Sequence, residues 1–246
     1  MNLTESTTAI LASVEKSSGS AVVLEHDPSL TTLTRVVRAS KGIDFHQIYY
    51  RSEGTDMNYL ISYQASFLVR LFSLPPRERW QLVSTDEEKK NAIKGLGLDD
   101  YTQSIAHSLV DSLLIQLRSS ILGLQIDGWI INNCPDLLTG QKSSVSGQLK
   151  DNLNALSPEV RDQYPRSLVD PNTAMNGVYA KFWGENLNDP RQLIPFVSLG
   201  YTDLVNKLYD VFLDTGDHPA NDRAIINQWA KILNLNTYCH TETIPS

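Results

Sequence analysis

Apolar and polar positions follow two rhythms along this chain, and the change falls near residue 55. Before it, short β-branched or aromatic runs are separated by turn residues. Ala21 to Leu24 stops at Asp27-Pro28, Thr34 to Arg38 carries the pair Val36-Val37, and FHQIYY, Phe45 to Tyr50, lies between Gly42 and Ser52-Glu53-Gly54. A short helix, Thr7 to Lys16 with Ile10, Leu11 and Val14 at helical spacing, precedes them and ends in Ser17-Ser18-Gly19-Ser20. The links between the three strands are too short for helical crossovers, which predicts a small antiparallel sheet.

After residue 55 the period is helical. Asp56 is placed to cap a helix from about Met57 to Phe72, stopped by Pro75-Pro76, and Arg77 to Lys94 begins as another. Asp99 to Ser119 sets Ile105, Leu109, Leu113 and Leu117 in one i, i+4 row, and Gly123 interrupts the pattern before Ile126 to Ile131. The polar stretch Thr139 to Gly147 predicts an exposed loop. Helices follow over 148–156, 171–183, 194–214 and 219–233, with Pro171 and Pro219 at first helical positions. The expected fold class is α+β: a small N-terminal sheet, then a predominantly helical body. Its regions are 1–138 and 148–246, packed as one unit.

Composition narrows the function classes. The chain has 246 residues, of which 41% are apolar, so a core is affordable and disorder is excluded. With 21 Lys+Arg against 28 Asp+Glu the net charge is −7, which disfavours a large nucleic-acid-binding surface. The apolar stretch Leu109 to Ile131 is interrupted by Asp111, Arg118 and Asp127, so no membrane span is expected, and MNLTESTTAI lacks the pattern of a signal peptide. Two cysteines, Cys134 and Cys239, make no disulfide framework and no C-x-x-C. The expectation is a soluble cytoplasmic protein.

Standard chemical signatures are missing. There is no P-loop, no G-x-G-x-x-G after a strand, no G-x-S-x-G and no H-E-x-x-H, and the five histidines are scattered. One helix nevertheless carries an unusual arrangement. Gln64 lies one turn from both Leu60 and Leu68, which predicts a buried amide in need of partners, and Tyr63 and Phe67 flank it at i, i+4. With His at 63 and 67 and Glu at 64 the string would read H-E-x-x-H, which places two imidazoles on one helical face to hold zinc beside a carboxylate that activates water.

A strand-rich start leading directly into this helix resembles the zincin core of the ImmA/IrrE-type metallopeptidases and related small gluzincin-like proteins. The resemblance covers roughly residues 7–131 and includes no intact motif. It implies a pseudoenzyme, because Tyr63 and Phe67 cannot replace imidazole ligands and Gln64 cannot act as a base. It also implies Asp127 as the relic of an acidic third ligand on a later helix. The residues equally support a plainer reading, with Tyr63 and Phe67 as core aromatics, Gln64 bonded to a strand edge, and Asp127 as the N-cap of a turn at Gly128-Trp129. No catalytic residue, metal or cofactor is assigned.

Four further residues are cleft candidates. His46 alternates with an inward Phe45 and so is expected to face outward; on the zincin reading it lines the old cleft. Asp217, His218 and Asp222 are dense enough for acid–base chemistry, although a helix stop at Gly216 and a cap before Pro219 explain them as well. The expected function is a non-catalytic interaction or regulatory component that binds a protein partner or assembly. The alternatives are a hydrolase at Asp217, His218 and Asp222, or a structural subunit of a larger assembly.

Overall fold

A computed structural model describes residues 2–51, 54 and 56–244. The Ser52-Glu53 stop expected after the third strand lies outside the described residues. The chain divides into two units, Met1–Arg79 with Gln125–Gly147, and Trp80–Leu124 with Gln148–Ile244. The first contains α1 (Glu5–Ser18), β1 (Ala21–His26), β2 (Thr34–Val37), β3 (Phe45–Tyr50) and α2 (Met57–Ser73). The second opens with β4 (Trp80–Val83), α3 (Asp86–Gly95) and α4 (Gln103–Asn133), whose residues 125–133 belong to the first unit. Next come α5 (Leu138–Asn154), whose residues 138–147 also belong to the first unit, α6 (Pro158–Gln163), α7 (Arg166–Asn186), α8 (Ile194–Ser198), α9 (Thr202–Thr215), α10 (Asp222–Ile232) and β5 (His240–Thr243). The fold is α+β, with a small N-terminal sheet followed by helices.

The sheet is mixed rather than antiparallel. Its order is β1-β3-β2, with β2 antiparallel and β1 parallel to β3. No helical crossover is needed, because β2 itself carries the chain back along the far edge before β3 enters the middle. The side-chain phase is also the reverse of the expected one. His46 and Ile48 face inward and are fully buried, while Phe45 is 37% exposed. Ile48 pairs with Leu24 on one side and Val36 on the other, so three aliphatic side chains fix the buried face. With a period of two, that choice also turns His46 inward and Phe45 outward. Against this face Ile10, Val14, Leu60, Ile61, Ala65 and Leu68 of α1 and α2 form the core, joined by Ile126 and Ile130 of α4.

Several helix boundaries differ from expectation. Gly123 does not interrupt α4, which runs unbroken for 31 residues, so Asp127 lies inside a helix and cannot be an N-cap. The stretch 139–147 is helical, part of α5, with Gln141 and Val145 buried. Apolar packing of one face outweighs its polar composition. Trp80–Val83 is a strand because its partner, His240–Thr243, lies about 160 residues away and is invisible to local pattern. The helix 171–183 begins earlier, at Arg166, with Pro165 as its cap and Pro171 inside. The segment 194–214 is split where Gly200 adopts φ 85°. α4 is long and apolar enough to cross a membrane, with 56% of its most apolar stretch buried in the structure.

The start of α1 is tied down electrostatically. Asp136 accepts from the Ser6 N–H (3.0 Å) and from the Ser6 hydroxyl, at a helix N-terminus where a negative charge is favoured. Burial raises the Asp136 carboxyl, but the Ser6 hydrogen bonds outweigh it and hold it below the usual range. A depressed carboxyl contributes stability above its unfolded pKa and loses it as pH falls through the folded one. Asp136→Ala is therefore expected to cost about 1 kcal/mol near neutral pH. In urea titrations its difference from wild type is expected to shrink as pH falls from about 5 to about 2.

Candidate functional site

α2 presents the motif side chains because its inner residues Leu60, Ile61, Ala65 and Leu68 are pinned against the sheet and α1. That leaves Tyr59, Tyr63 and Phe67, one turn apart, in a row. Their rings form a continuous stack, with Tyr59–Tyr63 centroids 5.8 Å apart and Tyr63–Phe67 edge-to-face at 5.1 Å. Burial first, and the Asp127 carboxyl second, hold the Tyr63 phenol far above its ordinary pKa, so it is a neutral phenol at any working pH. Gln64 is half-buried, and its Nε2 donates to Thr34 Oγ1 at 3.2 Å. Thr34 belongs to β2, an edge strand, so the amide is satisfied as the plainer reading expects.

Asp127 is 1% exposed and ties three helices together. Its Oδ1 accepts from the Tyr59 hydroxyl of α2 at 2.8 Å and from Gln141 Nε2 of α5 at 3.1 Å, and its own carbonyl accepts from the same amide at 3.3 Å. The structure thus brings an acidic residue from the later helix to the motif helix. Its carboxyl bonds the Tyr59 hydroxyl and acts electrostatically on the Tyr63 phenol. Tyr59 and Gln141 were missed by sequence reasoning. Tyr59 was legible as the i−4 neighbour of Tyr63, whereas Gln141 was hidden in a stretch read as loop.

No protein-family model, curated protein or solved structure matches the chain.

Within the first unit, His46 packs beyond the motif residues, toward the C-terminal end of α2. His46 contacts Phe72 (ring centroids 5.2 Å), thirteen residues along α2 from Tyr59, which is about 20 Å of helix. Its Nδ1 accepts from the Ala39 N–H at 2.9 Å. In the second unit His218 turns to its own backbone, its Nδ1 accepting from the Ala220 N–H at 3.2 Å. It caps the 3₁₀ turn Pro219–Asn221, and Asp222 is buried in the first turn of α10 that follows. This is the capping arrangement that the plainer reading of Asp217, His218 and Asp222 predicts.

The thiols are unsuited to nucleophilic work. Both cysteines are free and buried, and burial first, with Glu88 second, pushes Cys239 up to about 11. Among the described residues no group of three or more His, Cys, Asp or Glu is gathered closely enough to hold a metal ion.

Proposed function

We propose that this chain is a non-catalytic interaction or regulatory component, with a metal-free core of zincin-like order. One observation carries the reading: every side chain at the degenerate motif is taken up in packing or hydrogen bonding. Tyr63 and Phe67 are stacked, Gln64 is bound to Thr34, and Asp127 is closed off by Tyr59 and Gln141. A phenol, an amide and a phenyl ring supply neither zinc ligands nor a general base in the roles the zincin motif requires. The order of strands, motif helix and later acidic helix supports the ancestry. The sheet, covered by helices on one face, leaves Val23 and Phe45 exposed on the other, which gives such a component apolar surface to offer.

The test is crosslinking in the native host, followed by reconstitution with the purified partner. The expected result is a stoichiometric complex, together with no peptide-bond hydrolysis by the purified chain, with or without added zinc. Hydrolysis that Asp127→Asn abolishes while the variant stays folded would overturn the proposal.

A further inference from the structure

At the C-terminal end of α2 the first unit brings the side chains of Arg38, His46 and Arg79 near one another. The antiparallel pairs Thr34↔Tyr50 through Val37↔Gln47 define a register that, carried one residue on, sets Arg38 opposite His46 on the buried face of the sheet. The Ala39 N–H to His46 Nδ1 bond closes this corner. The His46 ring packs on Phe72, and the Arg79 guanidinium covers the same ring, its Cζ 4.6 Å from the centroid. Arg38 and Arg79 are both half-buried.

The donors in this corner are largely unused. Arg79 donates only its Nε, to the Leu74 carbonyl at 3.1 Å, and its terminal amino groups have no acceptor among the described residues. Arg38, half-buried, has no hydrogen-bond or ion-pair partner among the described residues, and its nitrogens remain accessible to a ligand. Because His46 Nδ1 accepts, the neutral ring carries its proton on Nε2, and that buried N–H has no partner among the described residues. Burial first and Arg38 second lower the His46 pKa, so it is neutral at pH 7; burial and Arg79 lower that of Arg38.

We propose that Arg38 and Arg79, with His46 Nε2–H as a third donor, form a site for a phosphate-class oxyanion. Two planar guanidinium forks match tetrahedral oxyanions in geometry as well as charge, and a neutral imidazole N–H adds a directed hydrogen bond without a further charge. Phe72 is a shared packing surface for His46 and Arg79. None of the three donors belongs to the motif Tyr63, Gln64 and Phe67 in the middle of α2.

The test is calorimetric titration of the full chain with inorganic phosphate and, separately, phenyl phosphate. One ion is expected per chain, with a dissociation constant below about 1 mM and weaker binding as salt is raised. Arg38→Met and Arg79→Met are each expected to weaken binding about tenfold or more, and Arg38→Lys less. Arg77→Met is expected to leave it unchanged, because the Arg77 side chain is 88% exposed and faces Glu78. Arg38→Met removes an uncompensated charge and keeps the stem, so its ligand-free Tm is expected to equal or exceed that of wild type, and phosphate is expected to raise only the wild-type value. Equal affinities identify free phosphate as the ligand, and a tighter phenyl phosphate identifies a monoester. Absence of binding by either, or an equal loss in Arg77→Met, would overturn the site.

Discussion

Asp127→Ala is expected to destabilise the protein by about 2–3 kcal/mol, because it removes a buried acceptor that two donors share. The Tyr59 hydroxyl loses its 2.8 Å acceptor, and Gln141 Nε2 loses the 3.1 Å carboxyl oxygen, keeping only the longer bond to the Asp127 carbonyl. Neither group can turn to water, since Tyr59 is 4% and Gln141 0% exposed. Asp127→Asn keeps an oxygen for Tyr59 and is expected to cost about half as much. Tyr59→Phe removes one of the two donors to this carboxyl, so Tyr59→Phe with Asp127→Ala should be less destabilised than the sum of the single variants, by about 1–2 kcal/mol. Urea unfolding of the four proteins measures the coupling. Additive losses would show that the Tyr59–Asp127 bond contributes nothing of its own.

The second large effect is a steric one in the second unit. Gly177 lies in α7 where a Cβ would come within 2.5 Å of Val205 Cγ2 and 3.2 Å of Phe196 Cδ1. Val205 and Phe196 are buried, so a shift to admit the methyl must be taken up by the close-packed core around them. Alanine gains about 1 kcal/mol of helix propensity over glycine, which by itself would make Gly177→Ala stabilising. Overpacking at 2.5 Å costs more, so the expected net loss is about 1–2 kcal/mol. Val205→Ala alone leaves a cavity and is expected to cost about 2 kcal/mol. In the double variant the new methyl occupies the vacated space, so its stability should equal or exceed that of Val205→Ala alone. Thermal unfolding distinguishes the outcomes, and a double variant that loses the sum of both would refute the packing argument.

The polar chemistry of the first unit was partly visible in the residue pattern. The spacing of Tyr63, Gln64 and Phe67 marked a helix face with an amide that needed a partner, and the structure supplies Thr34 on the edge strand. Asp127 stood out as an acid among apolar neighbours, but its partner Gln141 could not be found, because 139–147 looks polar until one face is packed. The Arg38–His46–Arg79 corner escaped notice for a different reason. Arg38 and His46 are joined by strand register, and Arg79 joins them from a distant point in the chain, packed on Phe72 beside His46.

By itself the sequence determined the alternation of short strands and long helices, and hence the α+β class. Local periodicity and turn residues encode those choices within a dozen residues. The tertiary structure decided everything that depends on which partner a segment meets. It set β1 parallel to β3, because β2 takes the far edge. It turned His46 inward, because Ile48 finds aliphatic neighbours on both sides. It also carried α4 through Gly123 and placed Asp127 between Tyr59 and Gln141. Burial of apolar area is a property of pairs of surfaces, and a helix or strand read alone shows only one of them.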